Sequence, residues 1–139
     1  VNTASVAGLI SPSGMAVYNV TKHAVVALTE TLHHDLVAAR SAVRCSVVCP
    51  AYFPSGISDS ERTRPASLAN PQGPSKHQQA LHAMLSKAVA SGRITAEDIA
   101  QSVFDAIVVL THSRIKGAIR ARMEDILDER TPRDPMGIR

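Results

Sequence analysis

Aromatic side chains are scarce: the 139 residues contain no Trp, two Tyr and two Phe. The core must therefore rest on Val, Ile, Leu and Ala, as in buried parallel strands and their covering helices. The same scarcity argues against a nucleic-acid partner, because single strands bind by stacking bases on aromatic faces. Charge of one sign is also lacking. The formal +3 is dispersed, and basic and acidic residues alternate through Arg120, Arg122, Glu124, Asp125, Asp128, Glu129 and Arg130. That pattern reads as a solvated helix face. No apolar run approaches the ~18 residues of a membrane span. No basic start followed by an apolar stretch marks a signal peptide. With 45% hydrophobic residues, the chain reads as one soluble domain or part of one, and a cytoplasmic setting is expected.

Cysteine is limited to Cys45 and Cys49. Both fall in a β-patterned segment, where four residues span ~13 Å, beyond the reach of a disulfide. No adjacent His or further Cys completes a metal-ligand set, so two reduced core residues are expected. His33 and His34 stand mid-helix without an i,i+4 histidine pair, and no metal is expected there.

Glycine and proline are absent from Met15 to Arg40. Val25, Leu28, Leu32 and Leu36 recur there at helical spacing, which predicts a long amphipathic helix packed through that stripe. Before it, Val1–Thr3 reads as the tail of a strand, and Ser5–Gly14 as a breaker-rich loop. After it, Val43, Cys45, Val47 and Cys49 alternate up to Pro50 and predict a short strand. Helix then strand in this order suggests an α/β layer with parallel neighbours.

Residues 50–74 hold five of the eight prolines and lack periodicity, as expected of a lid or loop. A helix is predicted from Lys76 to about Ala90. Thr95-Ala-Glu-Asp98 reads as the N-terminal cap of a further helix with Ile99, Val103, Ala106 and Ile107 on its apolar side. Val108–Thr111 reads as a final strand, Ile115 to about Glu129 as a terminal helix, and Thr131–Arg139 as a loose tail.

The chemistry concentrates near the start. Tyr18 and Lys22 are four apart, so on a helix they share one face. A phenol titrates near ~10, and an ammonium beside one favours its ionised form, making such a pair a feasible proton donor and acceptor. Ser5, at a predicted strand end, can aim its hydroxyl at the same point, where ligands bind in doubly wound folds.

Asn2-Thr-Ala-Ser5-Val-Ala-Gly8, Tyr18-Asn-Val-Thr-Lys22-His-Ala and Val47-Val-Cys-Pro50, in that order and spacing, resemble the C-terminal half of a short-chain dehydrogenase/reductase. The resemblance runs from Val1 to about Leu110. It implies an α/β fold, the C-terminal part of a doubly wound, Rossmann-like parallel sheet with flanking helices, with the N-terminal half missing. Residues 1–112 would form the catalytic half, with a substrate loop at about 50–90, and residues 113–139 a C-terminal helix and tail.

The resemblance also implies roles. Ser5 would hydrogen-bond the substrate oxygen, Tyr18 would move the hydroxyl proton, and Lys22 would assist Tyr18 and bind the cofactor ribose. Tyr18, Lys22, Pro50, Ala51, Phe53 and Ser55 would line an NAD or NADP cofactor, with Ser55 in place of the usual Thr. Ala51 replaces a usual glycine, a strain if its backbone needs positive φ. The family's asparagine on the preceding helix is absent, and Asn2 does not substitute for it. The Gly-rich phosphate-binding turn is absent as well, since the seven glycines are scattered. Where the family has a turn before its last strand, Ile107 runs directly into Val108.

The implied activity is interconversion of an alcohol and a carbonyl in a small-molecule substrate, with neither nucleic acid nor membrane as partner. The resemblance further implies a homodimer or homotetramer through the 15–40 helix. A non-enzymatic, truncated scaffold acting in subunit association is the alternative. Serine hydrolysis at Ser5 lacks the Gly-x-Ser-x-Gly elbow, and His23 would point away from the Tyr18 face.

Overall fold

Two short parallel strands organise the chain, which a computed structural model describes over residues 1–104 and 115–131. β1 (Asn2–Thr3) pairs with β2 (Val47–Val48), Asn2 opposite Val47 and Thr3 opposite Val48. The backbone ladder runs further than either strand. Asn2 N–H donates to Ser46 O, Ala4 to Val48 and Val6 to Pro50, each at 2.9 Å. Parallel neighbours need a crossover, and α1 (Ala16–Ala38) supplies it. The result is helix-rich around a small parallel sheet, in keeping with the expected α/β layer.

The second strand is shorter than its alternation predicts. Val43 is 62% exposed, whereas Ser46, Val47, Val48 and Cys49 are buried in succession. Consecutive burial is what a strand covered on both faces shows, so the alternation up to Cys49 does not mark one wet face.

The packing stripe of α1 is also displaced from the predicted one. Leu28 and Leu32 are 63% and 39% exposed, while Val26 and Thr29 are buried. Val26 meets Ala4, Val47 and Cys49, with Leu9 and Val25 against them. Thr29 is tolerated inside because its hydroxyl donates to Val25 O at 2.7 Å and accepts from Asn2 Nδ2 at 3.0 Å. A polar residue thus holds a position that hydrophobic counting assigns to leucine.

A 3₁₀ turn, Val6–Gly8, presses on this helix. A Cβ at Gly8 would lie 2.5 Å from Lys22 O and 3.0 Å from Val26 Cγ2, so only glycine lets the turn and helix approach so closely.

The chain divides into two units, Val1–Ala51 with Ile99–Arg139, and Tyr52–Asp98. Within the second, the proline-rich stretch forms 3₁₀ turns at Gly56–Thr63 and Ala66–Leu68 with no buried residue. Arg64 reaches both carboxylate oxygens of Glu61 at 2.6 Å, and this hydrogen bonding holds the Glu61 carboxyl below the usual range. α2 (Lys76–Ala90) starts in a capping box: Ser75 Oγ accepts from Gln78 N–H, and Gln78 Oε1 accepts from Ser75 N–H. Near its end, a Cβ on Gly92 would meet Tyr52 O at 2.5 Å and Phe53 Cα at 2.6 Å.

α3 (Ala96–Phe104) begins at the predicted Thr95 cap and buries Ile99. α4 is Ile115–Leu127, and its Asp125 is buried with Arg130 Nε 3.8 Å away. The expected strand at Val108–Thr111, the positions Ala106 and Ile107, and the tail beyond Thr131 lie outside the described residues.

Candidate active site

The carboxyl ends of the two strands lie side by side, and Ser5 and Pro50 occupy them. Ser5 is 8% exposed and caps the 3₁₀ turn, its Oγ accepting from Ala7 N–H at 3.2 Å. The same hydroxyl donates to Pro50 O at 3.4 Å. Parallel pairing makes this adjacency unavoidable, because both chains leave the sheet in the same direction.

Tyr18 lies in the first turn of α1 and is half-buried. One turn later, the Lys22 ammonium stands over the Tyr18 ring, 5.6 Å from its centroid, within cation–π range. Lys22 Nζ also donates to Thr3 O at 3.2 Å. One cation therefore spans from the phenol on α1 to the strand that ends in Ser5. The i,i+4 spacing accounts for the first contact. The Thr3 carbonyl carries no sequence signal, since every residue has one, and only the strand's position against α1 selects it.

Ala51 is half-buried. Among the described residues, positive φ in a non-glycine occurs only at Arg40 and Glu129. Alanine at 51 thus carries no left-handed strain, and the expected penalty for replacing glycine does not arise. Phe53 and Ser55 belong to the second unit, where Phe53 is half-buried. Ser55 precedes the Gly56–Thr63 turn in extended backbone without capping it through its side chain.

Neighbouring polar groups are engaged elsewhere. Asn2 Nδ2 bonds Thr29, and His23 Nδ1 lies 2.9 Å from Asn19 O. Asn19, buried beside Tyr18, donates from Nδ2 to Pro12 O at 2.9 Å, a contact without a sequence signal. Asn19 Oδ1 and His23 Nε2 are buried and have no partner among the described residues. Cys49, next to Pro50, is a free thiol pushed up from its ordinary value, chiefly by burial. Cys45 Sγ donates to Thr29 O at 3.5 Å. His33 and His34 meet edge to face, and no group of three His, Cys, Asp or Glu able to hold a metal occurs among the described residues.

The groups carried by these elements, a phenol, a serine hydroxyl and an ammonium, are of the types that general acid–base chemistry uses. Lys22 holds its positive charge over the Tyr18 ring.

Comparison with known proteins finds relatives along nearly the whole chain. Residues 1–66 match the family model described as short chain dehydrogenase. A CLA biosynthesis dehydrogenase/reductase of Lactiplantibacillus plantarum is 30% identical over 138 residues, covering 94% of this chain and 48% of that protein. The short-chain dehydrogenase srdC of Neurospora crassa is 32% identical over 128 residues, 92% of this chain and 40% of the relative. A short chain dehydrogenase/reductase from Burkholderia phymatum, crystallised in complex with NAD, is 48% identical with a TM-score of 0.91. That match covers 99% of this chain and 50% of the crystallised one. The chain spans about half the length or less of the proteins it matches. On its motifs, its parallel strand pair and these relatives together, the chain belongs to the short-chain dehydrogenase/reductase family.

Proposed function

We propose that this chain is the proton-transfer half of a nicotinamide-dependent oxidoreductase that interconverts an alcohol and a carbonyl. The observation that carries the reading is the Lys22 ammonium, poised over the Tyr18 ring and bonded to Thr3 O on the strand that ends at Ser5. Helical spacing alone accounts for the ring contact, and the added bond to Thr3 O ties the ammonium to the strand as well.

In this reading Tyr18 donates its hydroxyl proton to the substrate oxygen in reduction and recovers it in oxidation. Ser5 turns its hydroxyl toward that oxygen and hydrogen-bonds the charge developing there. Lys22 stabilises negative charge on the Tyr18 oxygen while Thr3 O holds the ammonium in place. The donor set fits the nicotinamide riboside end of a dinucleotide: an ammonium and a phenol suit ribose hydroxyls, and the Pro50–Ala51 backbone at the strand end suits a carboxamide. When bound, the nicotinamide supplies or takes the hydride. NAD and NADP both satisfy this donor set, and the small-molecule substrate is defined only as an alcohol or carbonyl.

We also propose that the protein containing this chain associates as a homodimer or homotetramer through α1. Val17, Val20 and Leu28 on that helix are 80%, 69% and 63% exposed, an apolar face that favours burial.

Tyr18→Phe tests the main reading in the protein that carries this sequence. Turnover of a carbonyl panel with NADH or NADPH should fall at least ~100-fold, in line with loss of a positioned acid–base group, while cofactor binding by fluorescence weakens less than about tenfold, the cost of one hydrogen bond. Retained turnover in that variant would reject the assignment.

A further inference from the structure

The loop between Ser5 and Tyr18 is fastened at two consecutive residues, each by a different helix. From α1, buried Asn19 donates to Pro12 O at 2.9 Å, and Pro12 is itself buried. From α4, the Arg122 guanidinium donates to Ser11 Oγ. Ile10, immediately before them, is 3% exposed. Ser11, Ser13 and Gly14 are exposed, so little apolar burial holds this stretch after Ile10 and Pro12. A guanidinium donor makes a charge-assisted bond, stronger than a neutral one and directional. Asn19 directly follows Tyr18 in the chain, so its bond ties the loop to the backbone that presents the phenol.

From these contacts we infer that Arg122, together with Asn19, is a positioning residue that sets Ser5 against Tyr18 by clamping the Ser11–Pro12 segment between α4 and α1. The inference rests on the proton-transfer reading of Ser5 and Tyr18 given above. It gives α4 a role that its solvated, charge-alternating surface does not suggest. Arg122 acts through Ser11 and touches no reacting atom. Its effect follows from tolerance: a displacement of ~1 Å in a catalytic constellation can cost about 100-fold in rate.

Asn19 is buried and its replacement endangers folding, so the test uses Arg122 and Ser11. Arg122→Gln, Arg122→Lys, Ser11→Ala and the Arg122→Gln/Ser11→Ala double variant are compared in the protein that carries this chain. Arg122→Gln and Ser11→Ala should each lower kcat about tenfold, with KM for the nicotinamide cofactor within about twofold. The double variant should be no slower than either single one, because both remove the same bond. Arg122→Lys keeps a cationic donor and should recover to within about threefold of wild type.

Hydrogen exchange provides an arm independent of turnover. The amides of Leu9, Ile10 and Asn19, which bond Val6 O and Met15 O, should exchange about tenfold faster in Arg122→Gln and Ser11→Ala. Unchanged exchange overturns the clamp. Faster exchange with wild-type kcat overturns its positioning role, and so do additive losses in the double variant. A wild-type protein with no turnover rejects the parent reading instead, and exchange alone then decides whether the clamp exists.

Discussion

Replacing Gly8 by alanine tests how closely the 3₁₀ turn and α1 are meshed. The new Cβ would stand 2.5 Å from Lys22 O, 2.8 Å from Lys22 C and 3.0 Å from Val26 Cγ2. Ordinary contact begins at 3.4 Å, so relief at the carbonyl requires a shift of 3.4 − 2.5 = 0.9 Å. The opposing atoms are helix backbone, which cannot rotate away as a side-chain tip can. Either the turn lifts off α1 or α1 moves away from the strands, and both loosen the contacts of Val26 with Ala4, Val47 and Cys49. Overpacking of a filled interior costs about 1–3 kcal/mol. Equilibrium urea unfolding should show that loss as a lower midpoint at unchanged m-value. The displaced segment carries Lys22, so the ammonium should also leave its place over the Tyr18 ring. A Gly8→Ala protein within ~0.3 kcal/mol of wild type, below the cost expected of overpacking, would show that the turn and helix yield without resistance and refute this reasoning.

Two further predictions concern titration and reactivity. Asp98 Oδ2 accepts from Thr95 N–H and Oγ1 at 2.9 and 3.0 Å, and these bonds hold its carboxyl below the usual range. A depressed folded-state value means that the contribution is complete above the unfolded Asp range near ~4 and is lost as pH falls through the folded value. Asp98→Asn should therefore destabilise α3 at neutral pH, with the difference from wild type shrinking below pH ~4, as followed by circular dichroism; a difference constant with pH would contradict the carboxylate's part in the cap. Burial pushes up the Cys49 thiol, whereas Cys45 is half-buried. Iodoacetamide at mildly alkaline pH should label Cys45 first and Cys49 only on unfolding, and mass spectrometry showing equal rates in the folded protein would count against that environment.

Much of the fold is legible because a few residues constrain it strongly. The lack of Gly and Pro from Met15 to Arg40 leaves α1 little alternative, and Thr95 announces the helix that follows it. Packing is less legible. Thr29 is buried because Asn2 and Val25 O satisfy its hydroxyl, and Leu28 remains exposed despite its hydrophobicity. No count of apolar positions captures a threonine whose partner lies 27 residues away. The Tyr18/Lys22 pair is visible as spacing, whereas Thr3 O, Pro12 O and Pro50 O are backbone acceptors chosen by tertiary contact alone. Arg122 shows the same limit: it reads as part of a charged surface, yet its partner Ser11 is 111 residues away.

The Pro50 carbonyl accepts twice, from Val6 N–H at 2.9 Å and from the Ser5 hydroxyl at 3.4 Å. The two acceptances differ in permanence. The amide bond continues the sheet ladder, whereas the hydroxyl hydrogen can turn away by rotation about Cβ–Oγ, with Oγ still accepting from Ala7 N–H. A resting serine at this strand end is thus sheltered without being locked. Were that hydrogen to turn to another acceptor, Pro50 O would keep Val6 N–H and no buried acceptor would be orphaned. Such a turn would give up one long bond and leave the strand pair intact.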